Sequence, residues 1–159
     1  MQALQGKAAI VTGSWRGIGL ATHFTFGGYA AHALDVEVGR DGALHIHRAV
    51  VAVDVGQVVN PLGLEAQMIG GTIDGLSTAL NLEITVQDGR IEQRNFGDYR
   101  LLRMADAPDV EVHVLESGAP PSGAGEMGIP TVAPALANAI DAASGKRIRT
   151  LPVGKQLRV

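Results

Sequence analysis

Two strand-like runs on either side of a tight turn constrain the fold of this chain most. Residues 43–54 alternate between two sides, residues 29–38 mix small apolar residues with charged ones, and Gly39-Arg40-Asp41-Gly42 separates the two runs. Alternation with a period of two is typical of a strand with one buried face. A short glycine-rich turn joins antiparallel neighbours. The sequence therefore predicts a long antiparallel β-hairpin, with His45 and His47 as a solvent-facing pair.

Asn60-Pro61 predicts the start of a long helix that ends at about Leu80. Asparagine is a favoured N-cap, and proline fits the first helical position. Apolar residues recur at helical spacing, at Leu62, Ile69, Ile73, Leu76 and Leu80. The other face is small and polar and includes Gly70-Gly71, although each mid-helix glycine costs about 1 kcal/mol relative to alanine. Another backbone or a ligand must therefore approach that face closely.

The remaining elements are short. Strands are predicted at residues 7–12, 82–86, 90–93, 110–115 and 147–151, a glycine-rich turn at residues 13–19, and a last helix at residues 132–144. Gly145 is a typical residue to end that helix. This order predicts an α+β domain of antiparallel β-hairpins packed with two main helices, and not a complete Rossmann fold.

A single carboxylate lies in the glycine- and proline-rich stretch directly before the last helix. The stretch covers residues 120–130 and contains Gly125-Glu126. Glycine lets a backbone approach a ligand closely, and loops held by a rigid scaffold often carry catalytic groups. Glu126 is therefore the first candidate for a functional residue, and an exposed glutamate in a flexible connector is the alternative interpretation.

Composition excludes several classes of function. The chain has no cysteine, so it can hold neither a disulfide nor an iron–sulfur cluster nor a thiolate zinc site. Its net charge is −3 and it has no large basic cluster, which argues against a nucleic-acid partner. No apolar run reaches the roughly 20 residues that span a bilayer, and no signal peptide is evident. We expect no membrane partner, no metal held by protein ligands, and a cytoplasmic location.

Residues 5–21 resemble the opening of short-chain dehydrogenases. That family has a strand followed by T-G-x-x-x-G-I-G, which here is Thr12-Gly13-Ser14-Trp15-Arg16-Gly17-Ile18-Gly19. Such glycines bring a backbone to a pyrophosphate at a helix N-terminus. The Tyr-x-x-x-Lys of the family is absent, so an NAD(P)-dependent reductase is the least favoured function. We predict a short dehydrogenase-like segment at residues 1–22 and a second domain at residues 23–159, joined by gene fusion or recombination.

Five runs in the second segment carry a stronger resemblance. They are residues 23–31, 53–61, 67–77 and 95–100, and Gly125-Glu126 with the helix that follows. In this order they resemble the C-terminal part of the molybdenum hydroxylase large subunit, of the isoquinoline 1-oxidoreductase, aldehyde dehydrogenase and xanthine dehydrogenase type. The resemblance implies the fold of the molybdopterin-binding domain of that family.

The resemblance also implies roles for individual residues. Glu126 would be the catalytic base for hydroxylation at a molybdenum centre, a role that suits a carboxylate whose partial burial disfavours its charged form. Gln67 would bind near the metal and the pterin, and Gly70, Gly71 and Gly125 would line the cofactor. The implied cofactor is molybdopterin in its cytosine dinucleotide form, which this chain is not expected to bind by itself. One difference is Ile69, which occupies the position of a family glutamate.

Most of the family's large subunit has no counterpart in this sequence. The resemblance thus implies a fragment or remnant of an oxidoreductase for aldehydes or N-heterocycles, which does not catalyse alone. Its ancestral partners would be iron–sulfur domains and the remaining molybdopterin domains. A non-catalytic module that forms homo-oligomers is the alternative, because surfaces normally covered by the missing domains would be apolar.

Overall fold

A four-stranded sheet with two helices on one face forms the body of the computed structural model, which describes residues 16–154 and 156–157. The elements are β1 (Arg16–Thr25), β2 (Gly28–Val38), β3 (Leu44–Asp54), α1 (Pro61–Asn81), β4 (Val86–Gln87), β5 (Arg90–Ile91), a 3-10 turn (Met104–Asp106), β6 (Asp109–Val114) and α2 (Val132–Ser144). The strand order is β1-β2-β3-β6, and β4 pairs only with β5. The α+β prediction is confirmed. One feature the sequence did not predict is that β6 pairs with β3 in parallel.

The predicted hairpin of β2 and β3 is confirmed, but its second strand contains a bulge. Asp35 pairs with Arg48 whereas Val36 pairs with Ile46, so His47 is the extra residue on β3. Side chains on either side of a bulge change faces, because the period of two is interrupted. The buried face of β3 therefore runs from Ile46 to Ala49, Val51 and Val53, and not along the single strict alternation that the sequence predicts.

The glycine-rich turn predicted at residues 13–19 is wrong where the structure describes it. Residues 16–19 belong to β1, and Arg16 holds the start of this strand through hydrogen bonds of 2.8 and 2.5 Å to the Asp35 carboxylate. A Cβ at Gly19 would overlap the Ala135 carbonyl oxygen in α2. The glycines of β1 thus serve helix–sheet packing. Residues 7–15, which include the first predicted strand, lie outside the described part of the chain, and β1 continues across the domain boundary predicted after residue 22.

The strand predicted at residues 147–151 is also wrong. The tail that follows α2 instead runs to the end of α1, where the Val153 N–H donates to the Ala79 carbonyl oxygen at 2.8 Å and the Gly154 N–H donates to that of Leu80 at 3.0 Å. The last carbonyls of a helix lack partners within the helix. The tail therefore meets this need of α1 and does not extend the sheet.

Helix α1 has the predicted bounds, but a different face is buried. The Asn60 side chain accepts from the Gly63 N–H at 3.0 Å, as expected of the N-cap. Leu62, which the helical spacing predicts to be apolar core, is 78% exposed. The buried residues are Leu64, Met68, Gly71, Thr72, Gly75, Leu76, Ser77 and Ala79. Leu76 of the predicted stripe is fully buried. Gly75 is buried because α2 lies close to α1 there: a Cβ at Gly75 would be 2.9 Å from Val132.

His32 on β2 is fully buried where the sheet and the two helices meet. Its Nε2 lies 2.9 Å from the Thr72 hydroxyl of α1, and its Nδ1 lies 2.6 Å from the hydroxyl of Thr131, the N-cap of α2. Thr72 donates its own hydrogen to the Met68 carbonyl oxygen at 2.7 Å, so it must accept from His32. The imidazole therefore carries its proton on Nε2 and accepts the Thr131 hydroxyl on Nδ1. Burial lowers the pKa of His32 from 6.5 to about 4.

The packing of β1 against α2 predicts the effect of Gly19→Ala. The new methyl group would overlap the α2 backbone, so we expect the free energy of unfolding to fall by at least about 2 kcal/mol. Gly97→Ala is the matched control, because a Cβ there meets no atom within 4 Å. Urea denaturation measures both variants, and equal stabilities would contradict this packing.

The burial of His32 predicts that the fold loses stability in mild acid. The unfolded chain binds a proton at this residue below about pH 6.5, whereas the folded chain binds it only below about pH 4. Between these values the unfolded state holds more protons, so the free energy of unfolding decreases as the pH falls. We expect a loss of about 2 kcal/mol between about pH 7 and about pH 4.5 from this residue. Denaturation of the wild type and of His32→Leu measures it, and an identical pH dependence in both would contradict the prediction.

Candidate cofactor-binding site

The segment between β6 and α2 crosses the end of β3 and carries Glu126. The Ser122 N–H donates to the Val55 carbonyl oxygen at 2.9 Å, which fixes the segment to the chain just after β3. Gly56 has a φ of 73°, and a Cβ there would overlap the Pro120 carbonyl oxygen. Only glycine combines this backbone conformation with so close an approach. The loop is therefore held by backbone contacts well before it reaches Glu126.

The tip of the β1–β2 hairpin lies against the same loop. Phe26 and Gly27 form the tip with φ values of 51° and 83°, and the Gly123 N–H is 3.4 Å from the Phe26 carbonyl oxygen. The Phe26 side chain is largely exposed. This places an aromatic side chain beside the glycine-rich loop, a neighbour that the sequence analysis did not identify.

Gln67 and Gly125, which are 58 residues apart in the chain, meet at the surface. The Gln67 side-chain amide donates to the Gly125 carbonyl oxygen at 2.5 Å. Directly after Gly125, Glu126 is exposed and its carbonyl oxygen accepts from the Ile129 N–H at 3.1 Å. Met127 is fully buried and anchors this turn. The structure thus brings the predicted site residues Gln67, Gly125 and Glu126 to one surface, without the partial burial expected of Glu126.

Gly70 and Gly71 lie in different surroundings. Gly71 is buried, and a Cβ there would lie 3.2 Å from the Cα of Gly128. Gly70 is exposed, and a Cβ there would meet no atom within 4 Å. Close backbone packing accounts for Gly71, but nothing in the described part of the chain requires a glycine at position 70. Because Gly70 is three residues from Gln67, the two share one face of α1.

Ser122 contributes an unsatisfied group to the loop. Among the residues that the structure describes, its Oγ is the one buried side-chain polar atom without a hydrogen-bond partner. Leaving such a group unpaired costs about 1–3 kcal/mol. Because this oxygen is buried, it is not exposed to a ligand on the surface of the loop.

His32 is the residue near this site that sequence reasoning missed. It shows no metal-ligand spacing with the other histidines of the sequence. The useful signal was its position on β2, where it has the same parity as the apolar residues Leu34 and Val36. A histidine on the apolar face of a strand predicts a buried, hydrogen-bonded imidazole.

Within residues 16–154 and 156–157, the structure places no three His, Asp or Glu side chains where they could hold a metal ion together. His45 and His47 have ring centroids 4.4 Å apart, and His47 Nε2 is 3.0 Å from the Glu37 carboxylate. No helix in these two ranges is long and apolar enough to cross a bilayer.

A cleft of about 1020 Å³ lies at the other end of the fold. It is formed by the β2–β3 turn, the end of α1 and residues 150–154. It contains none of the predicted site residues, so it is separate from the surface around Glu126.

Comparison with known proteins identifies the family. The molybdopterin cofactor-binding domain model matches residues 2–108. Isoquinoline 1-oxidoreductase subunit beta of Brevundimonas diminuta is 35% identical over 142 residues, which is 89% of this chain and 18% of that protein. The aldehyde oxidoreductase molybdenum-binding subunit PaoC of Escherichia coli K12 is 31% identical over 134 residues, covering 79% of this chain and 18% of that subunit.

Solved structures agree in fold. The aldehyde oxidoreductase from Desulfovibrio desulfuricans matches with a TM-score of 0.72 and 26% identity, over 82% of this chain and 15% of that one. Quinoline 2-oxidoreductase from Pseudomonas putida 86 matches with a TM-score of 0.75 and 24% identity, over 82% of this chain and 18% of that one.

The chain spans less than a fifth of the length of these relatives. The family match begins at residue 2 and so includes the segment that resembles short-chain dehydrogenases; that second resemblance and the division of the chain at residue 22 stay predictions. Since the family model covers more than half of the chain, the protein belongs to the molybdopterin cofactor-binding domains of the xanthine oxidase family.

Proposed function

We propose that α1 and the loop before α2 form one wall of a molybdopterin site in an oxidoreductase that hydroxylates aldehydes or N-heterocycles. The observation that carries this proposal is the hydrogen bond between Gln67 and Gly125. It joins the helix to the loop at the point where Glu126 is exposed. The relatives are named as oxidoreductases of these substrate classes, which supports the proposal.

The residues at this surface fit such a group. The second amide hydrogen and the Oε1 of Gln67 form no hydrogen bond within the described part of the chain, so they can pair with the polar edge of a pterin. Gly70 and Gly125 are exposed and have open space where a Cβ would lie. A flat ligand can therefore lie directly on the backbone there.

The chain's own residues have separate tasks in this proposal. When bound, the cofactor supplies the redox chemistry at molybdenum. Gln67 orients it through hydrogen bonds, and Glu126 accepts the proton that hydroxylation releases. A carboxylate becomes a stronger base when water is removed from around it. Covering the exposed Glu126 with cofactor and further protein would have this effect.

We propose further that this chain does not catalyse alone. Cofactor sites are concave and bury most of the ligand, whereas Glu126, Gly125 and Gly70 lie exposed on one surface. These 159 residues contain no cysteine, so an iron–sulfur cluster would have its ligands outside them. Iron–sulfur and further molybdopterin domains are the proposed ancestral partners. The cytosine dinucleotide form of the cofactor and a cytoplasmic location stay predictions.

Gly70→Ala tests the proposal because stability and binding should change in opposite directions. Alanine is about 1 kcal/mol better than glycine in a helix, and the new methyl group has open space. One wall of the site is not expected to retain the cofactor, so isolated molybdopterin is added in large excess. We expect the variant to unfold at higher urea concentration and to make a weaker contact with the cofactor than the wild type does. Anaerobic titration followed by amide NMR measures binding, with the shifts expected at Gln67, Gly70 and Gly125.

Gly71→Ala is the matched control for that experiment. Its methyl group would press on the Gly128 backbone, so this variant should lose stability. Saturating cofactor shifts at residues other than those three, or unchanged binding by Gly70→Ala, would contradict the proposed wall.

A second candidate function is self-association, which one surface favours. On β1, Ile18, Leu20 and Phe24 expose apolar side chains at alternate positions that also include Thr22, and Leu20 and Phe24 are 55% and 58% exposed. Tyr29 on β2 pairs with Phe24, and their rings are 4.7 Å apart. Exposed apolar side chains grouped on one face in this way promote association.

Leu20→Lys tests that second candidate. A charge in the middle of an apolar contact resists desolvation, so the wild type should form oligomers and the variant should sediment as a monomer. Val59→Lys, at an exposed site outside β1 and β2, should behave as the wild type does. A wild-type chain that remains monomeric at its solubility limit would rule out this function.

A further inference from the structure

We propose that His32 is a positioning residue that sets the placement of Glu126 relative to Gln67. The inference rests on the proposed function, because that proposal makes the surface around Gln67 and Glu126 a cofactor site. The contacts that carry it are within the chain and involve no cofactor. His32 itself is fully buried and does not reach the exposed surface.

His32 connects the two halves of the site in a symmetrical way. Its Nε2 bonds to Thr72, which follows Gln67 on α1 by five residues. Its Nδ1 bonds to Thr131, which follows Glu126 by five residues. Thr131 also ends the loop and is the N-cap of α2. One imidazole on the sheet thereby spans the helix that carries Gln67 and the loop that carries Glu126.

The hydrogen bonds in this connection have a single direction. Thr131 donates to His32, His32 donates to Thr72, and Thr72 donates to the Met68 carbonyl oxygen. Removing either threonine hydroxyl would leave a buried ring nitrogen without a partner, which costs more than a hydrogen bond at the surface. These hydrogen bonds therefore stabilise the structure and also require one defined arrangement of His32, Thr72 and Thr131.

The surrounding packing brings the loop to α1 through contacts that have no fixed direction. Gly128 lies on Gly71, and the Ile129 and Val132 side chains lie over Gly71 and Gly75. Buried Met127 fills space beneath the loop, but a flexible thioether adapts to small shifts. The directional bonds of His32 add a fixed geometry to these contacts, which opposes sliding of the loop along the helix.

Removal of the Thr131 hydroxyl tests the proposal in the isolated chain. In Thr131→Val, we expect the hydrogen-bonded shift of the Gln67 side-chain amide to be lost. The exchange protection of the Ile129 amide, which bonds to Glu126, should fall by ~5-fold or more, the equivalent of about one hydrogen bond. Thr131→Ser keeps the hydroxyl and should restore both signals. His32→Leu should reproduce the effect of Thr131→Val.

Ser77→Ala provides the matched control for a merely structural effect. Ser77 is also a buried hydroxyl on α1, and it accepts from the Leu102 N–H at 2.9 Å on a segment outside the loop. This variant should lose stability and keep the Gln67 and Ile129 signals. The proposal is overturned if Thr131→Val leaves those signals unchanged, or if Ser77→Ala alters them equally.

The outcome is separable from that of the proposed function. If the Gln67 and Ile129 signals respond to Thr131→Val but no variant of the chain binds molybdopterin, His32 positions the loop and the proposed cofactor wall is wrong. If the chain binds molybdopterin and Thr131→Val leaves the signals and the binding unchanged, the wall is supported and the role of His32 is excluded.

Discussion

Close backbone contact at glycine positions is the constraint on which the rest of the structure depends. Gly17 and Gly19 let α2 lie directly on β1, and Gly75 lets the start of α2 lie against α1. Because α2 is held against both the sheet and α1, the loop that leads into it must cross α1 near Gly71. The meeting of Gly125 with Gln67 is therefore a consequence of glycines on separate elements.

Elements with local signals at their ends could be predicted from the sequence. Asn60 and Gly145 mark a helix start and a helix end by chemistry that needs no distant partner, and both are found as expected. The bulge at His47 and the strand that contains Gly17 could not be predicted in this way. The same glycine pattern fits a phosphate-binding turn or a strand beneath a helix, and the contact with α2 decides between them.

In the candidate site, too, local sequence signals could be predicted and contacts between distant residues could not. The sequence marks Gly70-Gly71 as a place of close approach, but it cannot say that Gly71 meets Gly128 whereas Gly70 stays open. Likewise the sequence could not predict the hydrogen-bond partners of His32, because Thr72 and Thr131 lie on elements far away in the chain. The family resemblance predicted that Gln67 and the Glu126 loop belong to one site. The spacing of residues in the sequence could not predict this, because Gln67 and Gly125 are 58 positions apart.

The residues around Glu126 are buried on one side of the loop and exposed on the other. Beneath the loop, Met127, Gly128 and His32 are buried, and the histidine has a partner on each ring nitrogen. Above it, Gly125 and Glu126 are exposed. The hydrogen bond from Gln67 to Gly125 fixes the loop at the surface, and the buried residues support it from within. The chain thus holds one exposed surface in a defined geometry.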